Sequence, residues 1–221
     1  MATKTVNSIL DRASIILQDT ANTRFSNDDL LKFFNDAQRE VVMFRPDANV
    51  VHETITCVSG SKQSIPSSAL RLIDVVRNSN GRAVTQVSRN MLDNSLPNWH
   101  STTADSTRKI ENFVYDSSDP KNFWVYPNGS ADFDLDIIYS ASPTEITLSN
   151  YTTDATTISL DDSYANCLLD YILYRSYQID SEFSGNAERS LLHYQAFASS
   201  IGQKTQGDSA SDPRVNAGGR S

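Results

Sequence analysis

Apolar and polar positions change period twice along this chain. Over residues 26–46, SNDDLLKFFNDAQREVVMFRP, apolar side chains recur at Leu30, Phe34, Ala37, Val41 and Phe44, the 4-3-4-3 spacing of one helix face. Leu31, Phe33 and Val42 widen the stripe to about half the cylinder, so this helix needs partners on more than one side. Ser26 suits the N-cap, with Asp29 at the capping-box position. Asp28 and Asp29 also place negative charge at the positive end of the helix dipole. Pro46 ends the helix by forcing the preceding residue out of the helical region. A shorter stripe, Val6, Ile9, Leu10, Ala13, Ile16 and Leu17, predicts a helix over 6–17. The loop DTANTRF then turns the chain back into an antiparallel hairpin, with Phe25 placed to staple onto Leu30. Near the other end the 4-3-4-3 spacing returns from Ala187 through Leu191, Tyr194, Ala198 and Ile201. Before it, Asp161 or Asp162 caps a helix carrying Tyr164, Cys167, Leu168, Tyr171, Ile172 and Ile179. Gly185-Asn186 separates the two and gives a second hairpin.

Between the helical ends the period is that of strands. Residues 50–58, 62–65, 70–77, 83–87, 110–115, 122–126 and 132–139 read as strands, rich in Val, Thr, Ile and aromatics. Turns fall at Ser59-Gly60-Ser61, 78–81, Asp119-Pro120 and Pro127-Asn128-Gly129. Ser88 caps a brief helix that ends before Pro97. Short strands are expected at 146–148 and 157–160. Helices and strands are segregated, which predicts an α+β fold. N- and C-terminal helical hairpins (1–46 and 161–202) form one bundle, and a β-rich insertion occupies 47–160. Residues 203–221, QKTQGDSASDPRVNAGGRS, have no periodic apolar signal and cannot form a core of their own, so they are expected to be an extended C-terminal arm.

Composition narrows the function. A chain of 221 residues can bury a real core in one or two domains. No apolar run approaches the roughly 20 residues that span a bilayer, so no membrane contact is expected. The start, MATKTVNSIL, lacks an apolar h-region and a cleavage site, so no signal peptide is expected. Cys57 and Cys167 sit in strand and helix patterns and read as reduced packing residues. A net charge of −8 argues against gripping nucleic acid, though not against letting it pass. Ser, Thr and Asn are abundant, and only 21% of residues are charged, which suits extensive protein contacts.

Candidate chemistry is sparse. His52, His100 and His193 lie far apart and share no metal-ligand spacing with the cysteines. Asp132, Asp134 and Asp136 alternate with Phe133, Leu135 and Ile137. Three carboxylates on one face suit a cation or acid–base work, and equally the solvated face of a half-buried strand. Trp99, Phe123, Trp124 and Tyr126 suit either an exposed stacking patch or core and interface packing, and no basic residues accompany them. Arg12, Arg24, Arg39, Arg45, Arg71 and Arg77 are scattered singly, as ion-pair partners are. Phosphate loops, a G-x-S-x-G elbow and an H-E-x-x-H helix are absent. No catalytic residue, metal or cofactor is expected.

Several segments, taken together, resemble one family. They are RFSNDDLLKFFNDAQREVVMFRPDA, GSKQSIPSSALRLIDVVRN, RNMLDNSLPNWH, DPKNFWVYP, DDSYANCLLDYILYRSYQIDSE and NAERSLLHYQAFASSIGQK. In content and order, from about residue 8 to 204, the chain is similar to the tailed-bacteriophage head-to-tail adaptors, also called connectors or tail-tubular-type proteins. The resemblance implies packed helices carrying a β-rich domain, and a homo-oligomeric ring, commonly of twelve subunits. Such a ring sits beneath the portal protein, joins it to tail or nozzle proteins and continues the DNA channel without binding DNA specifically. It implies a virion protein of the neck, assembled in the host cytoplasm. It also implies that the C-terminal arm reaches the portal, and here Asp212, Pro213, Arg214, Val215 and Arg220 are the expected anchors. A reading from another class is a cell-wall hydrolase carried in the virion, working through Asp132, Asp134 and Asp136. A third, a monomeric binding module, fits poorly with the broad apolar helix faces and the tail.

Overall fold

Thr5 and Ser26 begin the first two helices in the same way, each hydroxyl accepting a backbone N–H three residues on. They do so in a computed structural model that describes residues 2–101, 109–180 and 182–211. The chain divides into two units. One takes Met1–Ala48 with Pro143–Ser221, the other Asn49–Ser142.

In the helical unit, α1 (Val6–Ile16) and α2 (Asn27–Phe44) are joined by a loop organised on Asp19. Its carboxylate accepts the N–H groups of Thr23, Arg24 and Phe25 at 3.0, 2.9 and 2.8 Å. The α2 helix is buried on more than one side: Leu30, Phe34, Ala37 and Val41 lie inside, and so do Leu31, Val42, Asn35 and Gln38. Both polar residues bond to the segment that follows Pro143. Asn35 exchanges two 2.9 Å hydrogen bonds with the backbone of Ile146, and Gln38 accepts the Ser159 N–H. A short 3₁₀ turn, Asp162–Tyr164, capped by Asp161, leads into α4 (Ala165–Ile179), and α5 (Asn186–Ser211) follows. Side chains of all four helices, among them Ile9, Phe34, Leu168, Ile172 and Phe197, share one core.

Three expectations for this unit need correction. The strands expected at 146–148 and 157–160 are not formed. This segment's hydrogen bonds go to α2 side chains and to the N-terminal residues, as in Ile158 N–H to Lys4 and Val6 N–H to Thr156, so no strand partner is left for it. The inward face of α5 is rotated by about one residue. Asn186, Ser190, Phe197 and Ile201 are buried, while Ala187, Leu191 and Ala198 are exposed. Ser190 donates to the Tyr174 carbonyl and Asn186 to Asp180, so α4 satisfies the polar groups that α5 buries. Finally, residues 203–211 are not an extended arm but the last turns of α5. No proline intervenes before Pro213. Gly202 and Gly207 each cost only about 1 kcal/mol in a helix, and Asp208 is tethered as described below.

The other unit holds β1 (Val50–Thr56), β2 (Gly60–Ser64), β3 (Ala69–Asn78), β4 (Thr85–Gln86), α3 (Arg89–Ser95), β5 (Asn112–Tyr115), β6 (Asn122–Gly129) and β7 (Asp134–Ala141). They form an antiparallel sheet in the order β1-β7-β3 and a second in the order β2-β6-β5-β4, with β4 parallel to β5. Alternate residues of each, such as Leu135 and Ile137 on β7 and Phe123 and Val125 on β6, meet in a common core. The turn expected at 127–129 lies instead within β6. Gly129 is needed there because a Cβ would come 2.9 Å from the Val58 carbonyl oxygen and 2.8 Å from Gln63 Nε2.

The strand β3 departs from strand periodicity. Against β7 its paired residues are Ala69, Arg71, Leu72, Asp74, Val75, Arg77 and Asn78, and the register slips three times, skipping Leu70, Ile73 and Val76. Each slip is a bulge that sets two β3 residues opposite one on β7. Burial accordingly follows a period of three, with Ala69, Leu72, Val75 and Asn78 inside.

Candidate interaction surfaces

The aspartates considered for chemistry do not form a set. The strand begins at Asp134, and Asp132 lies in the preceding turn, where its carboxylate accepts the Ser130 hydroxyl. Asp134 and Asp136 do share the outer sheet face, opposite Thr56 and Thr54, and each accepts that threonine's hydroxyl at 2.7 Å. Asp136 also accepts from Arg77 Nε at 2.6 Å. The Thr54 hydroxyl, then Arg77, hold the Asp136 pKa below the usual carboxylate value, so it stays ionised and is a weak base. Among the described residues, no three His, Cys, Asp or Glu side chains come together to hold a metal ion.

The histidines lie at three separate places. His52 is exposed on β1, His100 meets the Ser61 hydroxyl through Nδ1 at 2.9 Å, and His193 Nδ1 lies 3.0 Å from Asp170. The aromatics divide. Trp99 and Phe123 are buried, Trp99 donating from Nε1 to Asp93 at 2.8 Å, whereas Trp124 and Tyr126 are half-buried beside Trp99. Burial pushes the thiols of Cys57 and Cys167 up to about 12, as inert packing residues require. Among the described residues no helix is long and apolar enough to cross a membrane.

The expected anchors Asp212, Pro213, Arg214, Val215 and Arg220 lie outside the described residues. What is described is the root they grow from. Arg45 caps α2 and its side chain is only 7% exposed. Its Nη1 donates to Asp208 Oδ2 at 2.7 Å, and Nε and Nη2 donate to Asp47. The Asp47 bonds first, then the Asp208 bond, raise the guanidinium pKa against the opposing effect of burial. Lys204 approaches the other Asp208 oxygen at 3.5 Å and lies over the Tyr164 ring. Sequence patterning singled out Arg45 only as a scattered arginine, because its partner is 163 positions away.

Of the other arginines, Arg24 pairs with Asp180, Arg39 with Asp36 and Glu145, and Arg77 with Asp136, whereas Arg12 donates to the Asn166 amide oxygen rather than to a carboxylate. Exposed apolar side chains concentrate elsewhere. In the helical unit they are Ile15 and Ile16 at the end of α1, Met43 and Phe44 at the end of α2, and Ile179, Phe183, Leu191 and Leu192 around the start of α5. On β3 they are the three bulge residues Leu70, Ile73 and Val76. Such surfaces suit protein contacts better than a small-molecule site.

No curated protein matches the chain. A family model described as SU10 adaptor protein matches residues 4–217. The chain belongs to this family of phage head-to-tail adaptors.

Proposed function

We propose, from that membership, that the protein is a structural component of the virion neck. Copies close into a ring, twelve by the family resemblance, beneath the portal protein. The ring joins the portal to tail or nozzle proteins and continues the channel through which DNA passes without specific binding. The chain performs no chemistry in this role, and Asp134 and Asp136 serve as cross-strand partners of threonines rather than as a hydrolytic pair. The observation that carries the reading is a family match over nearly the whole length, which includes both units.

Residues 212–221 are the portal-binding arm, with Asp212, Pro213, Arg214, Val215 and Arg220 as contacts. The helical extension of α5 and its Arg45 tether fix where the arm starts, which reduces the entropy lost when it docks. Ring closure makes each later arm's docking effectively intramolecular. The test is deletion of 212–221, a cut that spares the tether. Circular dichroism and melting of the subunit should be unchanged, while binding to portal rings in a pull-down should fall at least tenfold. Equal docking by the shortened chain would remove the arm from the interface. Electron microscopy of the portal with the full-length protein reads the subunit number directly.

A further inference from the structure

We infer that the end of the helical unit where α1 and α4 finish and α2 and α5 begin is the seat of a second virion protein. This partner is other than the portal and presents an apolar centre rimmed by Lys or Arg. The inference rests on the adaptor reading and places the adaptor's second joint.

Six large apolar side chains are open at this end: Ile15 at 63%, Ile16 at 43%, Ile179 at 66%, Phe183 at 62%, and Leu191 and Leu192 both at 56%. The two connections that carry them are tied together. Arg24, between α1 and α2, ion-pairs with Asp180 between α4 and α5, and its guanidinium lies 4.9 Å from the Phe183 ring. The core is already filled by Ile9, Phe34, Ile172 and Phe197, so these side chains are not needed to close the fold. Their grouping is what an uncovered contact surface looks like.

Charge selects the occupant. The cations at this end are engaged within the chain: Arg24 as above, Arg189 over the Tyr177 ring, and Arg175 with Gln178 and the Tyr174 ring. Glu182 and Glu188, which flank Phe183 and Leu191, make no ion pair among the described residues. The described part of this unit carries nine basic and sixteen acidic side chains. A second copy meeting the patch through its own identical end would set these acids against each other, which disfavours a two-fold pair; a ring neighbour meeting it through a different surface is what the self-adduct outcome below detects. A basic rim on a different protein would be attracted.

Distance separates this joint from the arm. Leu191 lies twenty residues before Ser211 on α5, about 30 Å at the helical rise. Val215, four residues past Ser211, reaches at most about 14 Å from it. The anchors from Asp212 to Val215 therefore do not cover the patch; of the expected anchors only Arg220, nine residues past Ser211, has the length to approach it, and a lone cationic side chain does not cover six apolar ones.

The test places a photo-crosslinking phenylalanine at Leu191 in the full-length protein, assembled into particles of the parent phage and irradiated. The expected adduct is to a virion protein other than the portal and other than the adaptor itself. In a Glu182→Lys, Glu188→Lys background the adduct yield should fall at least tenfold, with melting and portal docking unchanged. A self-adduct, a portal adduct, no adduct, or a yield indifferent to charge reversal each overturns the inference. The adaptor reading fails separately, if full-length protein does not dock on portal rings.

Discussion

Replacing Arg45 by Met should loosen the root of the arm without unfolding the protein. Methionine keeps most of the apolar stem and removes the hydrogen bonds to Asp47 and Asp208. Breaking a fully buried ion pair costs about 3–5 kcal/mol, mostly because the abandoned charge has no water. Here the abandoned charges are not dry: the Asp47 side chain is 59% exposed and that of Asp208 47%. That leaves the net value of charge-assisted bonds, discounted for screening, at about 1–2 kcal/mol. The loss should stay local. Beyond Ile201 the helix buries little and includes Gly202 and Gly207, so residues 203–211 can open while the core of Phe34 and Phe197 stays closed. Hydrogen exchange followed by mass spectrometry should show peptides covering 203–211 exchanging about 5- to 30-fold faster, the factor that 1–2 kcal/mol corresponds to. Peptides of α2 should not change. Unaltered exchange over 203–211 would refute the tether. A drop of 3 kcal/mol or more in global stability would show Arg45 to be a buried core charge instead.

Phe34→Ala, at a fully buried position of α2, should lower unfolding free energy by about 3–5 kcal/mol in urea titrations, and a loss under about 1 would displace it from the core. Gly129→Ala should cost about 1–3 kcal/mol, because its Cβ meets the Val58 carbonyl rather than a movable side-chain tip alone. Lowering pH should weaken the fold through Asp154, whose pKa falls from 3.8 to about 2, led by hydrogen bonds from the Thr156 hydroxyl and N–H and the Ser149 N–H. A depressed carboxylate stabilises fully above its unfolded value and loses that contribution as pH falls through the folded one. The urea midpoint should therefore drop between about pH 4 and 2, and Asp154→Asn should make that drop shallower; an unchanged slope would exclude Asp154 as a cause.

How much of this was legible depended on how local each cause is. The α2 helix could be read to within a residue because its cap, stripe and terminating proline all lie inside one short segment. The face of α5 could not, since Asn186 and Ser190 look like surface residues until Asp180, just past α4, and the Tyr174 carbonyl of α4 are there as partners. Counting apolar spacing alone put Leu191 inside and left the exposed end of the unit invisible. The helical turns beyond Ile201 were missed for a similar reason. Their composition is that of a tail, and the residue that holds them belongs to α2.

The β3 strand is the opposite case, where the signal was present but read with the wrong period. ALRLIDVVRN repeats in threes, as a buried apolar residue, an exposed apolar residue and then a charge, with Asn78 closing the series. A plain strand of period two would put Leu70 and Leu72 on one face and Ile73 and Val75 on the other, so no face would be apolar throughout. Three bulges resolve the conflict by advancing β3 three residues for every two on β7, which keeps Ala69, Leu72 and Val75 inside together. The cost is that Leu70, Ile73 and Val76 stand open on an edge strand, a surface prone to pairing with other chains. The same bulges interrupt the regular hydrogen-bonding edge, and Val84 covers its far end by bonding to the Val76 carbonyl. An irregular edge interspersed with Arg71, Asp74 and Arg77 disfavours merging of this sheet with that of another chain.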